Sequence, residues 1–242
     1  MAGHSKWANI KHRKGAQDAK RGQIFTRLIR EITISARISP ELSSNPRLRA
    51  AVDKALDNNM SKDTIQKAIN KGAGLDGAEQ LMEIIYEGYG PGGVAFIVEC
   101  TTDNKNRTVS DIRHFFTKSG GSLGTTGSVS YLFDEVGIIE VANPVDEDAL
   151  MEFALENGAS DFEMTDDGAI VQCHPNDLFI LADLLKQQGF KIINSQKNKI
   201  PQNYIPFESE LAEKISILYD KFDEHDDVQS VFCNFSWEAS EV

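Results

Sequence analysis

The 242-residue sequence predicts an α+β chain: an N-terminal helical domain followed by two ferredoxin-like α/β domains, one inserted in the other. Three observations carry this expectation. Apolar residues recur at helical spacing as far as Gly72, then at strand spacing in short runs. The stretch from "GIIEVA" to "KIINSQKNK" reads β-α-β-β-α-β, the split βαβ of a ferredoxin-like plait. A last helix and strand, "FESELAEKISILYDKF" and "VQSVFCNFS", have no sheet of their own and are expected to complete the sheet begun near residue 79. The boundaries read from this are residues 1–75 for a basic arm and helical bundle, 79–134 plus 205–242 for the outer α/β domain, and 135–204 for the insert.

The elements follow in order. "FTRLIREITISAR" sets Phe25, Leu28, Ile29, Ile32 and Ala36 on one helical face, with Arg27, Arg30 and Arg37 on another. A second helix starts at Asn45 as cap and Pro46 as first residue, with Leu48, Ala51, Val52, Ala55 and Leu56 as its apolar stripe. "SKDTIQKAINKG" is a third, capped by Ser61, facing inward through Ile65, Ala68 and Ile69, and ended by Gly72. Three such helices can bury one shared core. "LMEIIYEGYG" and "GVAFIVECTT" are strands joined by a tight turn, and "NRTVSDIRHFFTKSGG" is a helix with Val109, Ile112 and Phe116 inward. "GSVSYLFD" and "GIIEVA" are expected as two strands around "DEVG".

Charge divides the chain. Its formal net charge is -12, yet residues 1–72 hold 15 Lys+Arg against 6 Asp+Glu, and residues 73–242 hold 10 against 31. A basic module attached to acidic domains suits a polyanionic partner, although a charge run can also be a solvated face. No apolar run approaches a membrane span, and the start has no apolar core of a secretory signal. An organellar transit peptide shares the basic composition, but this arm runs directly into a patterned helix. Cytoplasmic location, a monomeric state, no membrane partner and no small-molecule substrate are expected.

The sequence carries no recognisable catalytic signature. Cys100, Cys173 and Cys233 sit apart in strand-like runs, and the five histidines are scattered, so neither a disulfide nor a metal site is expected. Gly88, Gly90 and Gly93 match G-x-G-x-x-G, but Pro91 interrupts the motif and a strand follows it, so it reads as a hairpin turn. Glu87 and Glu99 face no obvious partner acid. No enzyme activity and no cofactor are expected.

At this point four blocks carry a resemblance: "MAGHSKWANIKHRKGAQDAKRG", "NNMSKDTIQKAINKGAG", "YEGYGPGGVAFIVECTTDNKNRT" and "SGGSLGTTGSVSYLF". In this order they resemble the signature blocks of the YebC family, over essentially the whole chain. The resemblance implies a nucleic-acid-binding regulator, commonly labelled a probable transcriptional regulator that binds DNA. The alternative it implies is a ribosome-associated factor that binds ribosomal or transfer RNA and assists difficult peptide bonds. Ser61 departs from the Pro of many relatives, and both residues suit a helix start.

The residues expected to contact nucleic acid follow from charge and resemblance together. Lys6, Lys11, Arg13, Lys14, Lys20 and Arg21 would neutralise phosphates, with Arg27 and Arg30 extending the basic face. Trp7 would stack on a base or pack on the helical core, and His12 would donate to phosphate. A second patch is expected where Asn106 and Arg107 open a helix and Lys118 ends it beside Gly120 and Gly121. Helix amides there favour an anion, while plain capping accounts for the same residues.

Overall fold

The computed structural model describes residues 21–75 and 81–237. Helices α1 (Arg21–Ala36), α2 (Pro46–Asp57) and α3 (Lys62–Gly72) bury a shared core of Leu28, Ile32, Leu48, Val52, Ile65 and Ile69, among others. Asn45 does more than cap α2. Its Oδ1 accepts from Leu48 N at 3.0 Å, while its Nδ2 donates to the carbonyls of Ser35 at 2.8 Å and Ser39 at 2.7 Å. One buried amide thus fixes both the start of α2 and the turn leaving α1. Gly72 ends α3 for a packing reason as well. A Cβ there would stand 2.3 Å from the Thr33 carbonyl, so only glycine lets α3 lie this close to α1. Leu56 departs from the expected stripe: it is 41% exposed, because α2 turns its Ala51, Val52 and Ala55 side inward.

The first sheet contains β1 (Met82–Tyr89), β2 (Ala95–Thr102), β3 (Ser122–Leu123) and β8 (Val228–Cys233), in the order β3-β1-β2-β8 and antiparallel throughout. Helices α4 (Lys105–Lys118) and α7 (Ser209–Asp223) cover one face. Their Ile112, Phe116, Leu218 and Phe222 pack on Phe96 and Val98 of β2. The final helix and strand return across the chain, with Phe96 opposite Cys233. The G-x-G-x-x-G match is the β1–β2 hairpin, closed by a 3-10 turn at Pro91–Gly93.

The second sheet contains β4 (Phe133–Ala142), β5 (Ala159–Thr165), β6 (Gly168–Cys173) and β7 (Ile192–Pro201), in the order β5-β6-β4-β7. Helices α5 (Glu147–Glu156) and α6 (Leu178–Gln187) pack on one face through Leu150, Ala154, Leu178, Leu181 and Leu185. This is the antiparallel order of the ferredoxin-like plait.

The two strands expected around "DEVG" are one continuous strand, β4, preceded by a 3-10 turn at Ser130–Leu132. Gly137 does not make a turn. A Cβ on it would stand 2.7 Å from Cys173 Sγ and 3.0 Å from Leu178 Cβ, so glycine there admits the start of α6.

Candidate nucleic-acid interface

The basic face of α1 lies against the chain itself. Arg27 Nε donates to the Val228 carbonyl at 3.0 Å, and its Nη2 pairs with Asp223 Oδ1 at 2.9 Å. Arg30 Nη2 pairs with Asp227 Oδ1 at 2.8 Å, and its Nη1 donates to the Asp226 carbonyl. Gln23 Nε2 donates to the Glu224 carbonyl at 2.7 Å. The polar side of α1 is therefore laid along residues 223–228, which join α7 to β8. Other cations of the helical unit make similar ties. Arg47 bridges Glu31 at 2.7 Å and Glu83 at 2.8 Å, Arg49 pairs with Asp183, and Lys54 donates to Asn194 Oδ1 at 3.0 Å.

Asp227 is the centre of this arrangement. It is buried, and its carboxylate accepts from Thr108 Oγ1 at 2.7 Å and Thr102 Oγ1 at 3.1 Å. Arg107 Nη2 reaches its two oxygens at 2.9 and 3.1 Å, opposite the contact from Arg30. Burial alone pushes the Asp227 carboxyl up; the Thr108 hydroxyl, Arg107, Arg30 and Thr102 outweigh it and hold it below the usual range. Its own N–H donates to His225 Nδ1 at 3.1 Å, which leaves the ring proton on Nε2 to meet Asp111 at 3.2 Å. Arg107 also pairs with Asp103 at 2.9 Å. Carboxylates match the arginines here, so the node joins the helical unit to the first sheet.

Among the residues expected to touch nucleic acid, Lys6, Trp7, Lys11, His12, Arg13, Lys14 and Lys20 lie outside the described residues, and Arg21 opens α1. Arg27, Arg30 and Arg107 converge on Asp223 and Asp227. Asn106 is exposed in the first turn of α4. The expected second patch is split by the helix. Arg107 and Lys118 stand at opposite ends of α4, separated by about 16 Å of helix rise. The start of α4 is also capped internally, because Arg107 N donates to Asn104 Oδ1 at 3.1 Å.

Two residues that organise the structure had no clear sequence signal. Asp227 is one. Glu87 is the other: it is buried and accepts N–H bonds from Gly127, Val129 and Ser130, each at 2.8 Å. Burial pushes its carboxyl up, and those three amides pull it below the ordinary value. The faint signal was position alone, an acid in an apolar strand of a sheet that a glycine-rich loop can reach.

Two family models match the chain. One described as the TACO1/YebC protein N-terminal domain covers residues 5–75, and one described as the TACO1/YebC second and third domain covers residues 81–235. The chain is 56% identical over 236 residues to a "Probable transcriptional regulatory protein" of Francisella tularensis subsp. tularensis, covering 97% of this chain and 95% of the relative. A protein with the same description from Photobacterium profundum is 55% identical, covering 97% and 96%. The crystal structure of a conserved hypothetical protein from Aquifex aeolicus is similar, with a TM-score of 0.82 and 44% identity over 93% of each chain. Among the described residues no helix is long and apolar enough to cross a membrane.

Proposed function

The chain belongs to the TACO1/YebC family, and from that premise we propose that it is a non-enzymatic regulator of gene expression that binds nucleic acid, with DNA as the target. The observation that carries this reading is the charge division, 15 Lys+Arg against 6 Asp+Glu in residues 1–72 of a chain whose net charge is -12. The names of the relatives support regulation of transcription.

The contact is proposed to be the segment carrying Lys6, Trp7, Lys11, His12, Arg13, Lys14, Lys20 and Arg21. Arg27, Arg30 and Arg107 orient the helical unit behind it through Asp223 and Asp227. Two facts support a role without catalysis: burial pushes the Cys100 thiol up to about 12, and the buried Glu87 carboxylate is tied to three backbone amides. The protein is proposed to act in the cytoplasm as a monomer, without a cofactor or small-molecule substrate. A second reading, a ribosome-associated factor that binds RNA, draws on Trp7 and His12 in the basic segment, side chains that suit unpaired bases and irregular backbone.

Deleting residues 1–20 tests the contact. The segment holds five Lys+Arg, so the slope of log affinity against log salt on duplex DNA should flatten by about 4. An unchanged affinity and slope would overturn the assignment. Crosslinking in cells, with sequencing of both nucleic acids, separates the targets. Discrete promoter sites support DNA, enrichment of ribosomal or transfer RNA supports the second reading, and enrichment of neither overturns both.

A further inference from the structure

The helical unit meets two neighbours, and the two joints differ in kind. Against the first sheet it is held by the Asp227 node, where the carboxylate is 2% exposed and the Arg30 side chain 17%. Against the insert it is held by polar ties between α2 and the plait. Arg49 pairs with Asp183 of α6, Asp53 pairs with Lys186 of α6, and Lys54 donates to Asn194 Oδ1 of β7 at 3.0 Å. The four side chains of the two ion pairs are between 28% and 58% exposed. A cleft of about 470 Å³ stays open beside them, lined by Ser43, Arg49, Asp183, Lys186 and Gln187, with room for several water molecules.

Apolar packing does not seal this second joint. The core of the helical unit and the core of the insert are separate clusters, and among the described residues no buried cluster spans both. Exposed ion pairs contribute little each and weaken with salt. Two units of one chain that meet through polar contacts are free to move against each other.

The covalent path to the insert permits that movement. β4 pairs with β7 from Phe133 onward, whereas β6 joins β4 only from Gly137 onward. Residues 133–136 and 198–201 therefore form a two-stranded ribbon, which takes a larger twist than a full sheet. Its base is fixed to the first sheet. Phe133 packs with Ala95, Ile97 and Phe232, and Lys199 pairs with Glu99 at 3.0 Å. The plait beyond the ribbon is the part that can swing.

The two bodies that meet at the cleft carry opposite charge. Residues 135–204 hold 13 Asp+Glu against 4 Lys, a net of -9, while residues 21–75 hold 10 Lys+Arg against 5 Asp+Glu. An acidic body beside a basic surface repels a polyanion that approaches that surface. Moving it away by more than a Debye length, about 10 Å at 0.1 M salt, removes most of the repulsion.

We propose that the insert is an electrostatic gate on the basic helical unit. Closed, the α2–α6 ion pairs hold its acidic body against that unit; open, swung on the ribbon, it leaves the unit to the polyanion. The proposal rests on the nucleic-acid reading above and adds its regulation. Salt and polyanion both weaken the clasp, and both shift the gate toward open.

The test uses the full-length chain carrying Asp57→Cys at the end of α2 and Gln188→Cys just after α6, both exposed, with spin labels for distance measurement. The native cysteines are buried and escape labelling. Asp183→Lys together with Lys186→Glu sets like charges against each other at both pairs and leaves the net charge unchanged. With wild-type pairs the labels should give one short distance at low salt, and a longer one should grow as salt rises or a DNA duplex is added. The double variant should show the longer distance at low salt. Adding Arg49→Glu and Asp53→Lys restores opposite charges and should restore the short distance. The double variant should bind the duplex about two- to 25-fold more tightly than wild type, the range set by the loss of two exposed ion pairs. If the double variant keeps the short distance, or the fourfold variant does not regain it, the gate is overturned. If the distance lengthens and duplex affinity is unchanged, the gate is overturned while the parent reading stands. If the wild type does not bind the duplex, the parent reading of DNA as target fails and this one with it.

Discussion

Asp227→Asn should loosen the joint between the helical unit and the first sheet, and the cost can be worked from the contacts. Arg30 makes one ionic hydrogen bond at 2.8 Å with both side chains mostly buried. Arg107 makes a forked contact at 2.9 and 3.1 Å from a half-exposed guanidinium. Hydrogen bonds to charge contribute about 1.5–3 kcal/mol each, and the second is discounted for solvent screening. Asparagine keeps an acceptor for Thr108 and Thr102. The sum is about 3 kcal/mol, at the lower edge of the cost of removing one partner of a buried pair. For a chain of this size that lowers the melting temperature by about 6–12 °C.

The pH dependence makes the test specific. The folded carboxyl lies below its ordinary value. Its contribution is therefore complete above the unfolded value of about 3.9 and is lost as pH falls through the folded one. Thermal and urea unfolding of both proteins should differ fully at neutral pH and converge in strong acid. A variant within about 1 kcal/mol of wild type at neutral pH would refute the assignment, since surface changes fall in that range. So would a gap that persists unchanged in acid.

The remaining predictions concern the loop, the strand and the insert. Glu87→Gln should speed amide exchange at Gly127, Val129 and Ser130 and cost about 2 kcal/mol; because the folded carboxyl is depressed, that difference too is lost as pH falls through its folded value, and unchanged exchange would count against the anchor. Gly137→Ala should cost about 1–3 kcal/mol through overpacking on Cys173 and Leu178, and adding Cys173→Ala should recover part of it; full tolerance of the single change would reject the close approach at Gly137. Phe133 pairs with Pro201 and Asp134 with Ile200, so the ends of the insert stand about 5 Å apart. Replacing residues 135–200 by a short glycine linker should leave a soluble outer sheet with a cooperative unfolding transition, and loss of that transition would reject 135–204 as a separable unit.

Periodicity and punctuation made most of the fold legible. The Asn45–Pro46 start, the Ser61 cap and the β-α-β-β-α-β order are local signals, and local physics decides them. "DEVG" misled because a glycine between polar and apolar runs has two explanations, a turn or a close approach. Only the position of Leu178, forty-one residues on, selects between them. Glu87 and Asp227 were illegible for a related reason: a buried carboxylate is satisfied by groups that the fold alone brings to it.

The arginines of α1 show where the limit lies for the site. Spacing places Arg27 and Arg30 on one face, but not what that face meets, and Asp223 and Asp227 lie almost two hundred residues later. A guanidinium fork suits carboxylate and phosphate alike, so the residue type cannot separate a tie within the chain from a contact with a polyanion. A compositional difference within the basic region does bear on the question. Residues 1–20 carry four Lys and one Arg, whereas residues 21–75 carry six Arg and four Lys. Five of those six arginines, from Arg27 to Arg49, bond carboxylates or carbonyls of this chain in defined geometry. Fixed, directional ties favour the planar fork. A compact ammonium on a flexible stem acts as a point charge, which suffices to neutralise a phosphate. The change from Arg to Lys along the basic region therefore follows the change in task proposed for it, from holding the helical unit in place to meeting the polyanion.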